Sequence, residues 1–212
     1  MNNLYLHPSH SIGCIQGVAT AGQNCRLMDF NQDGWLDLIV ADIRGSHSKI
    51  LLGGADGFSL DRNHHLEEAN LGNVEVADLD SDGQLDLVLL RPYTVEHGVD
   101  RADSWIKIYH GKSGGVESRA RFEFPTAGAI DVVVADLNGD SYLDLGVSQY
   151  QSRTHRKLPV LLFWNDGLGG FSAGRRTDLP GESPSGLLAA DLDDDGIQEL
   201  IEAVDEEILD AV

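Results

Sequence analysis

The chain has 212 residues, of which 42% are hydrophobic, enough to bury a core. Asp and Glu number 35 against 15 Lys and Arg, and the formal net charge is −20. This charge disfavours nucleic acids and anionic membrane surfaces as partners and favours cations. No apolar run approaches the length of a membrane span, and residues 1–10 lack the basic and apolar regions of a signal peptide.

An acidic motif of ten residues recurs four times along the chain. Its pattern is D-x-[DN]-x-D-G-x-x-D-L, with Ser141 in place of the glycine in the third copy and Glu199 in place of the last aspartate in the fourth. We name the copies loops 1 to 4 and number their positions from the first aspartate: residues 29–38, 78–87, 136–145 and 191–200. A period of about fifty residues is typical of one four-stranded blade of a β-propeller.

Apolar runs flank every loop and predict paired strands. Strand one precedes each loop, at residues 25–28, 74–77, 132–135 and 187–190. Strand two follows each loop, so that the loop joins two antiparallel strands. In the first three copies a Gly-rich segment ending in Phe58, Val116 or Phe171 predicts a tight turn between strands three and four.

The two ends of the chain predict halves of one further blade. Residues 3–7 resemble a strand three and residues 12–18 a strand four, whereas the fourth copy stops after strand two. We therefore predict an all-β protein, a β-propeller of four-stranded antiparallel blades. It has either four blades, the last split between the termini, or is a fragment of a larger ring. The predicted units are a half blade at 1–22, full blades at 23–70, 71–128 and 129–183, and a half blade at 184–212.

Loop and Gly-rich segment recur together in register, since twenty residues separate Phe58, Val116 and Phe171 from the next loop. This arrangement resembles FG-GAP or VCBS repeats, the units of the integrin α-subunit propeller and of many bacterial surface proteins. The resemblance covers nearly the whole chain. It implies a propeller, usually of seven blades, a role in recognition or adhesion, and an extracellular or cell-surface location.

The spacing of the acidic side chains suits Ca²⁺, which takes six to eight oxygen ligands. Side chains at alternate positions of a tight turn can converge on one ion. We predict side-chain ligands at positions one, three, five and nine and a main-chain carbonyl ligand at position seven, for up to four Ca²⁺. The predicted ligands are Asp29, Asn31, Asp33, Trp35 and Asp37; Asp78, Asp80, Asp82, Gln84 and Asp86; Asp136, Asn138, Asp140, Tyr142 and Asp144; and Asp191, Asp193, Asp195, Ile197 and Glu199.

Position six is predicted to need a left-handed backbone, which glycine adopts freely. It is glycine in loops 1, 2 and 4 but Ser141 in loop 3. A left-handed residue other than glycine costs about 1–2 kcal/mol, and Asn138 leaves loop 3 one carboxylate short of loop 2. The third site is therefore predicted to bind calcium more weakly.

The sequence leaves two alternatives to a calcium site, an ordinary Asp-rich turn and an EF-hand. Asp and Gly favour turns for local reasons, but three or four carboxylates at the predicted ligand positions of each of the four loops repel one another without a cation. An EF-hand needs a Glu at position twelve and flanking helices. Only Glu202 after loop 4 fits that position, and the helical spacing of residues 201–212 leaves a helical end open there.

The segments between strands two and three are predicted to emerge on the face opposite the loops. They are rich in basic and aromatic residues, which suit an acidic glycan or protein ligand; the alternative is a solvated rim of random composition. We predict a calcium-binding recognition or adhesion module rather than an enzyme; the alternative is the propeller of a carbohydrate-active enzyme such as a polysaccharide lyase. The candidate ligand-face residues are Arg44, His47, Arg91, Tyr93, His97, Arg101, Arg153, His155 and Arg156.

The two cysteines are predicted to be free thiols. Cys14 falls on a presumed outermost strand and Cys25 on an innermost one, about 14 Å apart at three strand spacings, whereas a disulfide needs Cα atoms within about 7 Å. Cys25 is expected to be buried.

Overall fold

The structure, a computed structural model, describes residues 24–41, 48–96, 99–101, 104–150 and 157–204. Within these ranges the chain is all-β: its strands form small antiparallel sheets, and the helical content is one 3₁₀ turn, Ala173–Arg175. The all-β prediction is therefore confirmed. None of the described segments contains a helix that is long and apolar enough to cross a membrane.

The first sheet has four antiparallel strands in sequence order: β1 (Asn24–Met28), β2 (Asp37–Ala41), β3 (Ser48–Leu51) and β4 (Asn63–Leu66). Loop 1 connects β1 to β2 and leaves Met28 paired with Asp37.

The second sheet repeats this order with two small hairpins added. One hairpin lies between its second and third strands, and the other follows its third strand. The sheet strands are β5 (Asn73–Ala77), β6 (Asp86–Arg91), β9 (Trp105–Tyr109) and β12 (Phe122–Pro125); the hairpin strands are β7 (Thr94–Glu96) with β8 (Val99–Arg101), and β10 (Gly111–Lys112) with β11 (Gly115–Val116).

The third sheet again has four strands, and a pair of strands follows it. The pair contains loop 4, and Glu202 lies on its second strand. An EF-hand helix starting at residue 201 is therefore wrong, while residues 205–212 lie outside the described residues. The strands are β13 (Ala129–Ala135), β14 (Asp144–Gln149), β15 (Val160–Phe163) and β16 (Arg176–Leu179), then β17 (Gly186–Ala190) and β18 (Glu199–Ala203).

Strands one and two of each copy are where the sequence predicts them, but strand four begins later than predicted. Phe58 and Phe171 are buried, 9% and 4% exposed, and do not start the outer strand. β4 and β16 begin five residues after them. The aromatic side chain packs into the core at the turn, and the chain then needs several more residues to reach the sheet edge. The predicted strands at residues 3–7 and 12–18 lie outside the described residues.

The core lies between stacked sheets. Because side chains alternate along a strand, Leu87 and Leu89 of β6 pack with residues of the first sheet, while Val88 and Leu90 pack with residues of the third. All four side chains are fully buried. The second sheet is thus covered on both faces, which explains why its second strand is continuously apolar.

Polar pairs link the first strands of successive sheets. β1 contacts β5, β5 contacts β13, and β13 contacts β17. Arg26 pairs with Glu75, its Nε donating to Oε2 at 3.0 Å. Asp131 accepts from the Asn73 amide with one oxygen and from the Leu187 N–H with the other.

A second polar link joins the outer parts of the first and second sheets. Glu68, which follows β4, accepts from Lys107 Nζ at 2.7 Å and from the Tyr109 hydroxyl at 2.6 Å. The same ammonium lies 4.4 Å from the centre of the Trp105 ring, on the same strand. Burial and the hydrogen bond to Glu68 raise the pKa of Tyr109, so the phenol stays protonated and continues to donate.

Cys25 is free, as predicted, but it is exposed rather than buried. It lies on the same face of β1 as Leu27, which is 46% exposed. Arg26 and Met28 point the other way, toward the second sheet. The prediction of burial failed because no described sheet covers the outward face of β1. Cys14 lies outside the described residues.

Candidate metal centre

The first aspartate of each loop organises the turn around itself. Its two oxygens accept the backbone N–H groups of positions five and six, at 3.0–3.2 Å and 2.8–2.9 Å. The pattern is the same in all four loops. These aspartates are Asp29, Asp78, Asp136 and Asp191.

Positions three and five continue the pattern. The N–H of position five also donates to the side-chain oxygen of position three, at 2.9–3.3 Å. The N–H of position seven donates to the position-five carboxylate, at 2.7–2.9 Å. Each of these side chains therefore keeps one orientation, set by backbone donors rather than by chance packing.

The result is a convergent set of oxygen atoms. One oxygen from each of Asp78, Asp80 and Asp82 lies within 4.8 Å of the others, and the same holds for Asp191, Asp193 and Glu199. Two ligands on opposite sides of one Ca²⁺, each at 2.3–2.6 Å, are about 4.6–5.2 Å apart. The spacing and the all-oxygen donor set of loops 2 and 4 therefore fit this ion.

Loops 1 and 3 carry an asparagine at position three. Asn31 donates through Nδ2 to Asp33 at 3.0 Å, and Asn138 accepts through Oδ1 from the Asp140 N–H at 2.9 Å. Both loops keep the network that surrounds Asp29 and Asp136, with one charge fewer than loop 2.

Position nine has a role that the sequence did not indicate. Asp37, Asp86 and Asp144 are at most 1% exposed. One oxygen accepts the N–H of position two, and the other accepts an N–H from the turn after strand three, donated by Gly53, Gly111 and Asn165 respectively. Glu199 accepts the N–H of Leu192 in the same way. This carboxylate therefore joins the loop to the neighbouring turn, in addition to any bond to a metal.

Burial changes the electrostatics of two of these groups. It raises the pKa of Asp86 and of Asp144 above the ordinary value of an aspartate, although the two backbone N–H donors of each act in the opposite direction. A divalent cation beside these carboxylates would favour their charged form.

The predicted left-handed backbone at position six is confirmed. φ is +89° at Gly34, +85° at Gly83, +71° at Ser141 and +91° at Gly196. Position four is also left-handed in every loop, which the sequence analysis missed: φ is +59° at Gln32, +59° at Ser81, +75° at Gly139 and +61° at Asp194.

Loop 3 has thus exchanged the places of glycine and a larger residue. Gly139 stands at its position four and Ser141 at its position six, so every loop holds one left-handed residue other than glycine. Backbone strain therefore gives no reason for a weaker third site. The difference in carboxylate number remains, and it separates loops 1 and 3 from loops 2 and 4.

His110 is a further neighbour of loop 2. It is 4% exposed, and its Nδ1 lies 3.0 Å from Asp80 Oδ2. Gly53 and Gly111 occupy equivalent positions, because their N–H groups donate to Asp37 and Asp86 respectively. The residue before each glycine is Leu52 in the first sheet and His110 in the second. An alignment of these turns in the sequence would have singled out His110 as the polar residue at this position.

The loops of neighbouring sheets contact each other. The Gln32 amide in loop 1 donates to the Gly83 carbonyl in loop 2. The buried Asn165, in the turn of the third sheet, donates to the carbonyls of Leu79 and Leu143 at 2.8 and 3.0 Å. Successive loops are therefore joined along one end of the stacked sheets.

The predicted ligand face is described only in part. Arg91 lies with its guanidinium 5.9 Å from the centre of the Trp105 ring, and Tyr93 is half-buried. The backbone of Arg101 belongs to β8. The other six residues predicted for this face lie outside the described residues: Arg44, His47, His97, Arg153, His155 and Arg156.

Comparison with known families identifies part of the chain. Residues 29–89, from loop 1 into β6, match the family model described as an FG-GAP-like repeat. This segment is similar to FG-GAP-like repeats. The resemblance inferred from the sequence is confirmed there, and the FG-GAP-like segment contains both loop 1 and loop 2.

Comparison with whole proteins adds one finding. No curated protein matches the chain. Among solved structures, the crystal structure of the V. cholerae biofilm matrix protein Bap1 is similar over 86% of this chain, with 18% sequence identity and a TM-score of 0.47. The chain spans 28% of the length of that protein.

The position-nine carboxylate should stabilise the folded chain even without metal. Asp86→Asn places an NH₂ group against a backbone N–H donor, so we expect a loss of about 1–3 kcal/mol in the free energy of unfolding, measured by urea denaturation in EDTA. Asp82→Asn is the matched control: it lies on the surface and keeps an acceptor for Gln84, so its loss should stay below about 0.5 kcal/mol. Equal losses in the two variants would contradict the role assigned to Asp86.

The exchange of residues in loop 3 predicts that two serines carry equal strain. Ser81→Gly and Ser141→Gly each relieve a left-handed serine, worth about 1–2 kcal/mol, and each adds unfolded-chain entropy of about 0.4–1 kcal/mol. We expect both variants to gain the same small stability, within about 0.5 kcal/mol, in urea denaturation. A gain confined to Ser141→Gly would mean that position six alone is strained.

Proposed function

We propose that the chain is a calcium-binding repeat module for recognition or adhesion, with up to four Ca²⁺ held in loops 1 to 4. The observation that carries this proposal is the convergence of carboxylate oxygens in loops 2 and 4, on a hydrogen-bond network that all four loops share. Turn formation alone does not require the carboxylate oxygens of loops 2 and 4 to lie within 4.8 Å of one another.

The charge of the chain supports the same proposal. Each loop gathers three to five carboxylates, which contribute to the net charge of −20. Their mutual repulsion opposes folding, and a divalent cation in each loop would remove it. The metal would then act mainly as a structural element that stiffens one end of the stacked sheets.

We further propose that the stacked sheets are blades of a β-propeller. Their first strands contact one another in order from β1 to β17, as the inner strands of neighbouring propeller blades do. Loops 1 to 4 all lie at one end of the sheets, as the loops on one face of a propeller do. The two terminal sheets leave Leu27 and Leu188 exposed, 46% and 59%. A further blade would cover both, supplied either by the two chain ends or by a larger ring.

The partner proposed for this module is a glycan or a protein. Its recognition surface was predicted on the face opposite the loops, most of which lies outside the described residues. The alternative function, a domain of a carbohydrate-active enzyme such as a polysaccharide lyase, stays a hypothesis that assays on acidic polysaccharides would test.

Calcium should raise the thermal stability. An ion that binds only the folded state stabilises it by about 2.7 kcal/mol at a hundredfold excess over Kd. We expect a higher melting temperature in Ca²⁺ than in EDTA, and a smaller rise in Mg²⁺ because that ion demands six ligands at shorter distances. A melting temperature that is the same in Ca²⁺ and EDTA would refute the calcium proposal.

The propeller proposal predicts that Leu188 is covered in the whole protein. If a further blade packs on it, Leu188→Ala should cost about 2 kcal/mol or more in the free energy of unfolding. Leu168→Ala is the control, since Leu168 is 80% exposed at a turn and its loss should cost less than about 0.5 kcal/mol. Equal, small effects of both substitutions would show that nothing covers Leu188.

A further inference from the structure

A cavity of about 310 Å³ lies between the second and third sheets. One wall is formed by Arg121 and Phe122 at the start of β12, and the other by the segment between β15 and β16, including Asp166, Ser172 and Arg175. This segment lies at the same end of the stacked sheets as loops 1 to 4, because the Asn165 N–H donates to Asp144 of loop 3. The cavity therefore opens on the loop face and not on the opposite one.

The cavity concentrates positive charge in a strongly acidic chain. Two of the fifteen basic residues of the chain line it, against one carboxylate. Arg121 is free enough to reach a ligand: its side chain is 55% exposed, and its ion pair with Glu117 has a separation of 4.0 Å. Guanidinium groups bind carboxylates through two parallel hydrogen bonds.

Arg175 is held in place before any ligand arrives. Its Nη2 donates to the Asn165 carbonyl at 2.5 Å and its Nε to the Trp164 carbonyl at 3.3 Å. A side chain fixed in this way loses little conformational entropy on binding, which favours affinity. Its remaining N–H groups are the ones left for a ligand in the cavity.

The other lining groups suit a sugar ring better than a simple anion. Phe122 and Phe171 meet edge to face, with ring centres 6.1 Å apart, and give the cavity an apolar surface. Asp166 Oδ1 accepts the N–H groups of Leu168 and Gly170, and these donors hold the pKa of Asp166 below its ordinary value. A fixed carboxylate acceptor of this kind can accept hydrogen bonds from sugar hydroxyls.

We propose that this cavity binds a carboxylated sugar of the uronic-acid class, with Arg121 and Arg175 on the carboxylate, Asp166 and Ser172 on hydroxyls, and the half-buried Phe122 against an apolar face of the sugar. Its volume lies at the small end of ligand sites, which fits one sugar residue. This inference rests on the recognition role proposed above. It places the ligand at the end of the sheets that carries loops 1 to 4, rather than on the opposite face.

The test is an NMR titration of the calcium-loaded chain that follows the arginine Nε–H signals. Methyl glucuronide is the probe, because a monosaccharide chelates calcium less than an acidic oligosaccharide does. Methyl glucoside is the uncharged control ligand. We expect the glucuronide alone to shift the signals of Arg121 and Arg175. Arg121→Gln and Arg175→Lys should each weaken binding about tenfold, whereas Arg119→Gln, an exposed arginine outside the cavity, should leave it unchanged.

Several results would overturn the proposal: no glucuronide binding, equal binding of the glucoside, equal binding of acetate or a short acidic peptide, or affinity that is unchanged in both cavity variants. The titration is repeated in EDTA to separate the two proposals. Calcium binding without glucuronide binding would refute the cavity alone, and glucuronide binding by a chain that binds no calcium would refute the metal proposal alone.

Discussion

In three repeats a buried aspartate at position nine accepts hydrogen bonds both from its own loop and from the turn after strand three. Burying a carboxylate is costly unless it is hydrogen-bonded, and here both oxygens have backbone donors. Because one side chain satisfies donors from two segments, the loop and the turn cannot shift independently. The position of each of these three loops depends on this group, and so does that of Asn165, which reaches into the neighbouring sheet.

The same link passes from sheet to sheet. Asn165 ties the third sheet to loop 2, Gln32 ties loop 1 to loop 2, and Asp131 ties β13 to both β5 and β17. Repeats that contact only their neighbours have a stability set by each unit and by each interface between units. In this chain the interfaces combine apolar faces with buried polar groups, so a change in one repeat will affect its neighbours more than distant ones.

Much of this arrangement could be predicted from the sequence, since loop spacing and flanking apolar runs located strands one and two in each copy. The predictions failed where tertiary contacts decide the outcome. Gln32 and Ser81 adopt left-handed backbones that their residue types do not suggest, and the outer strands start late because Phe58 and Phe171 turn into the core. The role of Asp86 and the cavity beside Arg175 depend on segments that are distant in sequence, so no local pattern could reveal them.

The exchange of glycine and serine in loop 3 also creates an Asn138–Gly139 dipeptide, the type of sequence in which asparagine loses its amide most readily as a protein ages. The reaction begins when the glycine nitrogen attacks the asparagine side chain. In the folded loop that nitrogen donates its hydrogen to Asp136 Oδ1 at 2.7 Å, which holds it away from this attack. Loss of the loop structure would therefore expose Asn138 to slow conversion, and the product would carry a carboxylate at position three, as loops 2 and 4 already do.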